Sequence, residues 1–252
     1  MSATKTQAFI LKTQDYRDTS LLAHFYTRDY GKIHGIVKGI RDARARFGST
    51  LEPFSLNEIV FYRRKKGADL HPVTQVEVLN PFPELREDLE RLAYASYFTD
   101  LLDELVEAEE PNPAIFHLML DALSFLSSGA SCKRTARIFE VKLFELLGLM
   151  PEIRSCVICR QRPADTTYFS VPMGGIVCRS CREMKEASGV LVSRGALHFL
   201  GHVQRAEFKD LHHVKVAQEV GAELEKILRR FVDFHLPNKL KSVVFMEKME
   251  LV

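Results

Sequence analysis

Leu21-Leu22-Ala23-His24-Phe25-Tyr26, Thr27-Arg28-Asp29-Tyr30-Gly31, Lys32-Ile33-His34-Gly35-Ile36-Val37: residues 21–37 set two apolar runs around a polar turn that ends in glycine. Runs of this length, rich in aromatic and β-branched residues and bounded by a turn, predict two paired strands. The pattern extends outward. Ala8–Leu11 precedes it, and Phe54–Tyr62 and Val73–Leu79 follow, separated by the polar stretches Gln14–Asp18, Arg41–Thr50 and Arg63–Asp69. Five short strands at a spacing of roughly ten residues are too few for a sandwich and suit a small closed barrel of OB-fold size.

Beyond Pro81 the period changes. Leu85, Leu89, Leu92, Tyr97, Leu101, Leu102 and Leu105 recur at steps of three and four, with acidic residues between them, which predicts an amphipathic helix within 84–110. Pro111 and Pro113 interrupt it, and Ile115–Leu126 predicts a second helix. Ile138, Val141, Phe144 and Leu147 mark a third, closed by Gly148 with Pro151 beyond. Leu191–Val203 reads as a short helix, and Val216 to Phe231 as a long one stopped by Pro237. The expected class is α+β: a five-stranded OB-fold barrel over 1–80, then a helical domain over 81–252 carrying a four-cysteine zinc module at about 152–190. A length of 252 residues accommodates two domains, and 46% hydrophobic residues supply cores for both, which excludes a chiefly disordered chain.

Four of the five cysteines fall in two close pairs, Cys156-x2-Cys159 and Cys178-x2-Cys181. Two such knuckles supply the tetrahedral thiolate set that a structural Zn²⁺ takes, one ion per chain, with no coordination position left open for catalysis. A redox dithiol pair and plain buried cysteines are the other readings. Cys132 stands apart and reads as a small buried residue. No apolar run exceeds four residues and the amino terminus lacks a signal-peptide core, so a cytoplasmic protein with no membrane contact is expected.

The net charge of +2 averages unlike segments. Residues 1–80 hold 13 Lys and Arg against 8 Asp and Glu, residues 81–155 hold 7 against 14, and residues 156–252 hold 15 against 11. The front is basic, the middle acidic and the rear basic. Lys38, Arg41, Arg44 and Arg46 cluster after the third strand, and Arg63, Arg64, Lys65 and Lys66 after the fourth. Phe25, Tyr26, Tyr30, Phe61 and Tyr62 interleave with them. A barrel that binds single strands needs cations for phosphates and aromatic faces for bases, although alternate aromatics must fill its interior. Phosphate-binding loops and nucleophile elbows are missing from the sequence. His198 and His202 stand at i, i+4, but Phe199 occupies the place of a zinc-protease base. A non-enzymatic role is expected. An enzyme acting through Cys132 or the metal, and an RNA-binding barrel with a zinc module, are the alternatives from other classes.

Thr27-Arg28-Asp29-Tyr30-Gly31, Val37-Lys38-Gly39 and Leu51-Glu52-Pro53-Phe54 together resemble the amino-terminal OB-fold of the RecO family of bacterial recombination mediators. Phe139-Glu140, Leu146-Leu147-Gly148-Leu149-Met150-Pro151, the two cysteine pairs, Phe169 and Gly174-Gly175 are similar to that family's second half. The likeness runs from about Thr4 to Leu236, and the four cysteines match its zinc-containing members. It implies DNA repair and recombination: binding of single- and double-stranded DNA and annealing of complementary strands. It also implies contact with single-stranded-DNA-binding protein and, with RecR, loading of RecA, in the cytoplasm at the nucleoid. Matching basic positions gives Lys38, Arg41 and Arg44 as DNA-binding residues, with Arg46, Arg63 and Arg64 as weaker matches. Arg160, Arg162, Arg179 and Arg182 around the cysteines could extend that path. On the third helix Arg134, Arg137 and Lys142 lie close to one face beside Ile138, Val141 and Phe144, a cationic rim suited to the acidic, apolar-tipped tail of single-stranded-DNA-binding protein.

Overall fold

The computed structural model describes residues 3–16, 20–38, 51–64, 70–163, 166–185, 188–211 and 213–251. The amino-terminal strands are β1 (Ala3–Tyr16), β2 (Ser20–Thr27), β3 (Gly31–Lys38), β4 (Leu56–Tyr62) and β5 (His71–Asn80). They close into a barrel in the order β1-β2-β3-β5-β4, with β4 paired back onto β1. The expected five-stranded OB-like barrel is therefore present. Its closure depends on a short parallel contact between β3 and β5, Gly35↔His71 to Val37↔Val73. Alternation sends Ile10, Ala23, Phe25, Ile33, Ile59, Phe61 and Val73 into one apolar core. Gly35 faces the same core: a Cβ there would stand 2.7 Å from both Phe25 and Val73. Gly31, at φ +67°, starts β3 where a Cβ would lie 2.3 Å from the Glu110 carbonyl oxygen, so only glycine fits.

A 3₁₀ turn at Pro83–Leu85 precedes α1 (Leu89–Leu105), so the helix is shorter than the leucine pattern predicts. Asp88 caps α1 by accepting from the Arg91 amide. Asn112 caps α2 (Pro113–Ser127) by accepting from Ala114 and Ile115, with proline at the first helical position. Both helices lie on the outer face of the barrel. Phe9 stacks obliquely on Phe116 at 4.9 Å, the Tyr26 hydroxyl donates to the Asn112 carbonyl, and the Glu109 amide donates to the Lys32 carbonyl. Burial of Tyr26 drives its phenol pKa far above the ordinary value.

Next come α3 (Cys132–Leu146), β6 (Thr167–Ser170), β7 (Gly175–Cys178), α4 (Arg179–Lys185), β8 (Val190–Val192), α5 (Arg194–Arg205), α6 (Gln218–His235) and α7 (Lys241–Lys248). The predicted cap at Gly148 is present: φ is +70° and the Leu149 amide donates to the Phe144 carbonyl, the hydrogen bond of a Schellman motif. Strands β7-β6-β8 form a small antiparallel sheet. Packing divides the chain into two compact units, Met1–Gly129 with Leu240–Val252, and Ala130–Lys239. Helices α1 and α2 thus pack with the barrel. So does α7, whose first turn is held by the Ser242 amide donating to Asp100 of α1. Among the described residues no helix is long and apolar enough to cross a membrane.

Candidate functional site

The barrel's basic residues separate into two places. Lys38 is exposed at the end of β3, opposite Ser20. Arg41, Arg44 and Arg46, and also Lys65 and Lys66, lie outside the described residues. Arg63 and Arg64 are exposed immediately after β4. The Arg63 guanidinium sits 5.4 Å from the centre of the Tyr30 ring, in the turn before β3. Tyr30 and Lys38 therefore stand at opposite ends of β3, about 26 Å apart along the strand at its usual rise. Among the described residues, Lys38 and Arg63 thus mark two separate places, one at each end of β3.

The second of these places is built in layers. Tyr30 meets Phe61 edge-on at 5.5 Å, and Phe61 meets His71 at 5.7 Å. The Arg64 amide donates to His71 Nδ1 at 3.2 Å, which leaves the proton on Nε2 to face Glu109 Oε1 at 3.0 Å. A buried histidine thus ties the start of the basic loop to the segment after α1. Sequence reasoning missed both His71 and Glu109, because nothing local marks either one. The interleaved aromatics mostly serve the core: Phe25, Tyr26 and Phe61 are fully buried, leaving Tyr30 and Tyr62 partly open. On the outer surface of β1 and β4, Lys5 is paired to Glu58 at 2.5 Å and so adds no free charge to the rim.

The cysteine knuckles do come together. The four Sγ atoms all lie within 4.8 Å of one another, and Cys159 and Cys178 are 3.9 Å apart. A tetrahedron with metal–sulfur bonds of about 2.3 Å has edges of about 3.8 Å, so the set fits one thiophilic ion. Arg160 at φ +62° closes the first knuckle, its amide donating to the Cys156 carbonyl at 2.8 Å. Gly175 lets β7 pass against Glu152, where a Cβ would meet the carbonyl oxygen at 2.4 Å. Burial raises the Cys156 thiol pKa, but amide hydrogen bonds from Cys159, Cys178 and Ile158 outweigh it and favour the thiolate. Burial and the sulfurs of Cys178, Cys159 and Cys156 push Cys181 upward. Four sulfur donors this close together could hold one metal ion. Arg160, Arg162 and Arg179 lie at the surface around it, whereas Arg182 lies over the Tyr168 ring at 4.1 Å.

Helix α3 departs from the expected arrangement. Arg137 is buried and pairs with the fully buried Glu140 at 3.0 Å, so it does not belong to an exposed rim. Ile138, Val141 and Phe144 are buried in the core and are not part of the lining of the cleft beside α3. That cleft, of about 340 Å³, has apolar lining from Phe199, Val216 and Leu224, cations from Lys133, Arg134 and the buried Arg137, and one acid, Glu225. Arg134 donates to the Val214 carbonyl, and Lys142 is spent on Glu145 and the Gln204 carbonyl. Of the expected trio Arg134, Arg137 and Lys142, the first two line the cleft and Lys142 does not; its apolar lining comes from α5, α6 and the residue pair before α6.

The first 82 residues match the family model described as Recombination protein O N terminal, and residues 86–243 match Recombination protein O C terminal. A protein of Syntrophus aciditrophicus named DNA repair protein RecO is 32% identical over 249 residues, 98% of this chain and 96% of the relative. The protein of the same name from Desulforamulus reducens is 32% identical over 250 residues, 99% and 96% of the two chains. That of Halalkalibacterium halodurans is 30% identical over 246 residues, 98% and 95%.

Proposed function

This chain belongs to the RecO family, and from that premise we propose that it is a non-enzymatic DNA-binding mediator of recombinational repair. In this reading it binds single- and double-stranded DNA, anneals complementary strands and, with RecR, helps RecA displace single-stranded-DNA-binding protein. The observation that carries it is end-to-end likeness to relatives named DNA repair protein RecO, on a closed barrel with a cationic rim. Annealing requires lowering the repulsion between two phosphate chains. Lys38, Arg41 and Arg44, joined by Arg46, Arg63 and Arg64, supply that charge, and Tyr30 and Tyr62 offer ring faces for bases. The separation of Lys38 from Arg63, at opposite ends of β3, supports a path long enough for more than one nucleotide.

Zinc is the metal proposed for Cys156, Cys159, Cys178 and Cys181, supported by the all-sulfur donor set and its near-tetrahedral edge. When bound it supplies a cross-link between the two knuckles and no reaction step. The acidic tail of single-stranded-DNA-binding protein is proposed to dock in the cleft beside α3, with Lys133 and Arg134 facing its acidic residues and Phe199 and Leu224 its apolar tip. A labelled tail peptide should bind wild type and lose affinity in a Lys133→Glu/Arg134→Glu variant. Arg137 is left intact there, because reversing a buried paired charge would unfold the helix.

The deciding experiment mixes complementary labelled oligonucleotides with the purified protein, without nucleotide. Faster pairing than in buffer, quenched by rising salt, is expected. Unaltered pairing together with no salt-sensitive affinity for single strands would overturn the reading.

A further inference from the structure

The hairpin β2–β3 places His24 directly across from His34, and Lys12 of β1 directly across from His24, on the outer face of the barrel. Helix α1 lies over this row and brings Asp103 to it. His24 Nδ1 stands 2.7 Å from Asp103 Oδ1, and the two imidazole rings overlap with centroids 4.3 Å apart and planes inclined at 30°. One ligand atom from each of His24, His34 and Asp103 lies within 4.8 Å of the other two. All three residues are partly buried, the His24 side chain 31% exposed and that of Asp103 10%.

From this geometry we infer that His24, His34 and Asp103 form a second metal site, one that takes a borderline divalent transition ion such as Zn²⁺ or Co²⁺. Two imidazoles and one carboxylate make a nitrogen-rich donor set that suits such ions and not Mg²⁺ or Ca²⁺, which prefer oxygen ligands throughout. Three protein ligands with an open side leave water to complete the coordination sphere. Ligand atoms of a tetrahedral set stand roughly 3.3 Å apart; the three here lie within 4.8 Å of one another, and the 2.7 Å pair of His24 and Asp103 widens as an ion enters. The ion takes the place of the proton held between His24 Nδ1 and Asp103 Oδ1; a neutral ring takes that proton up at Nε2 and a protonated ring loses it to solvent, so His24 binds the metal as neutral imidazole either way.

The charge around the site sets its strength relative to the cysteines. Four thiolates present four negative charges to a metal, whereas this set presents one. The Lys32 ammonium donates to the Asp103 backbone carbonyl, and Lys12 adds positive charge nearby. The second ion is therefore held more weakly than the first and exchanges freely, while the cysteine metal stays. When bound, it clamps α1 to β2 and β3 within one compact unit, a fastening separate from the hydrophobic contact of Phe9 and Phe116.

The test uses the full-length, untagged protein loaded with one equivalent of zinc, into which Co²⁺ is titrated while its visible absorption is followed. One further equivalent is expected, giving d–d bands without the thiolate-to-cobalt charge transfer that cysteine ligation would add. His34→Gln and Asp103→Asn should each weaken this binding by at least about tenfold. His198→Ala, on the i, i+4 histidine pair of α5, should leave it unchanged. Circular dichroism melts establish that each variant is folded, and His34→Gln is informative even if the aspartate variant is not. Absence of a second equivalent, or a second equivalent that survives His34→Gln in folded protein, overturns the assignment. So does its loss in His198→Ala. Each outcome is read separately from DNA binding, so it leaves the mediator reading untouched.

Discussion

The barrel and the cysteine lobe are both small sheets, and they are held together by different physics. The barrel closes five strands around Ile10, Phe25, Ile33, Ile59, Phe61 and Val73, so its edges are paired and its stability comes from buried apolar area. The lobe has strands of four, four and three residues. The apolar cluster around its knuckles has Cys156, Cys181 and Val177 at its buried centre, so cysteines of the proposed metal set are themselves much of that core. Where a sheet is too small to bury a core of its own, metal ligation is the proposed substitute for burial. The two regions should therefore fail independently and by different insults.

The largest expected effect is removal of the lobe's metal. Cys156→Ser or Cys178→Ser should abolish tight metal binding, because structural zinc supplies on the order of 10 kcal/mol of folding energy. Hydrogen exchange by mass spectrometry should then show lost protection over residues 152–185 and retained protection in β1 to β4. Equal loss in both regions would mean that they share one cooperative core. Next in size is damage to the barrel. Phe61→Ala should cost about 3–5 kcal/mol by leaving a cavity where a fully buried ring stood, read as a shift in denaturant midpoint. The four-cysteine set should keep its metal equivalent in that variant, and its loss would show the lobe depends on the barrel after all.

Smaller effects separate what each region does with DNA. Lys38→Ala and Arg63→Ala should each reduce the slope of log affinity against log salt by roughly one unit, and the double variant by roughly two. An additive slope would mean both ends of β3 touch the same nucleic acid; a slope unchanged by Arg63→Ala would confine the path to the Lys38 end. The smallest effect belongs to the lobe surface. Arg179 and Glu183 form an exposed i, i+4 pair at 2.9 Å, so Arg179→Ala should change stability by no more than about 0.5 kcal/mol. A measurable loss of DNA affinity in that stable variant would carry the DNA path onto the lobe.

Much of this was legible from residue order, and the second metal site marks where legibility ends. The turn Thr27–Gly31 fixes the hairpin register, since Thr27 pairs with Gly31 and each step outward pairs the next residues. His24 and His34 are equidistant from that turn, so their juxtaposition follows from local sequence. Asp103 does not: it arrives from α1, which the leucine spacing identified as a helix but could not aim at β2. His71 and Glu109 were invisible for the same reason, being 38 residues apart and joined only through the fold. Helix α7 also went unrecognised, since it is eight residues long and its first turn is completed by Asp100 of another helix.

Residue order alone determined everything that depends on short-range periodicity and covalent reach. That includes the alternation that builds the barrel strands, the Gly148 cap, the two cysteine knuckles and the family likeness that rests on them. Tertiary structure decided how those pieces meet. It made the parallel closure of β3 on β5, buried Arg137 against Glu140, and laid Arg63 over the Tyr30 ring. The physical reason is the range of the forces that act. Backbone hydrogen bonds and side-chain alternation operate over a few residues, while burial is satisfied by any apolar surface the chain can reach. Which surface that is gets settled only when the whole chain packs.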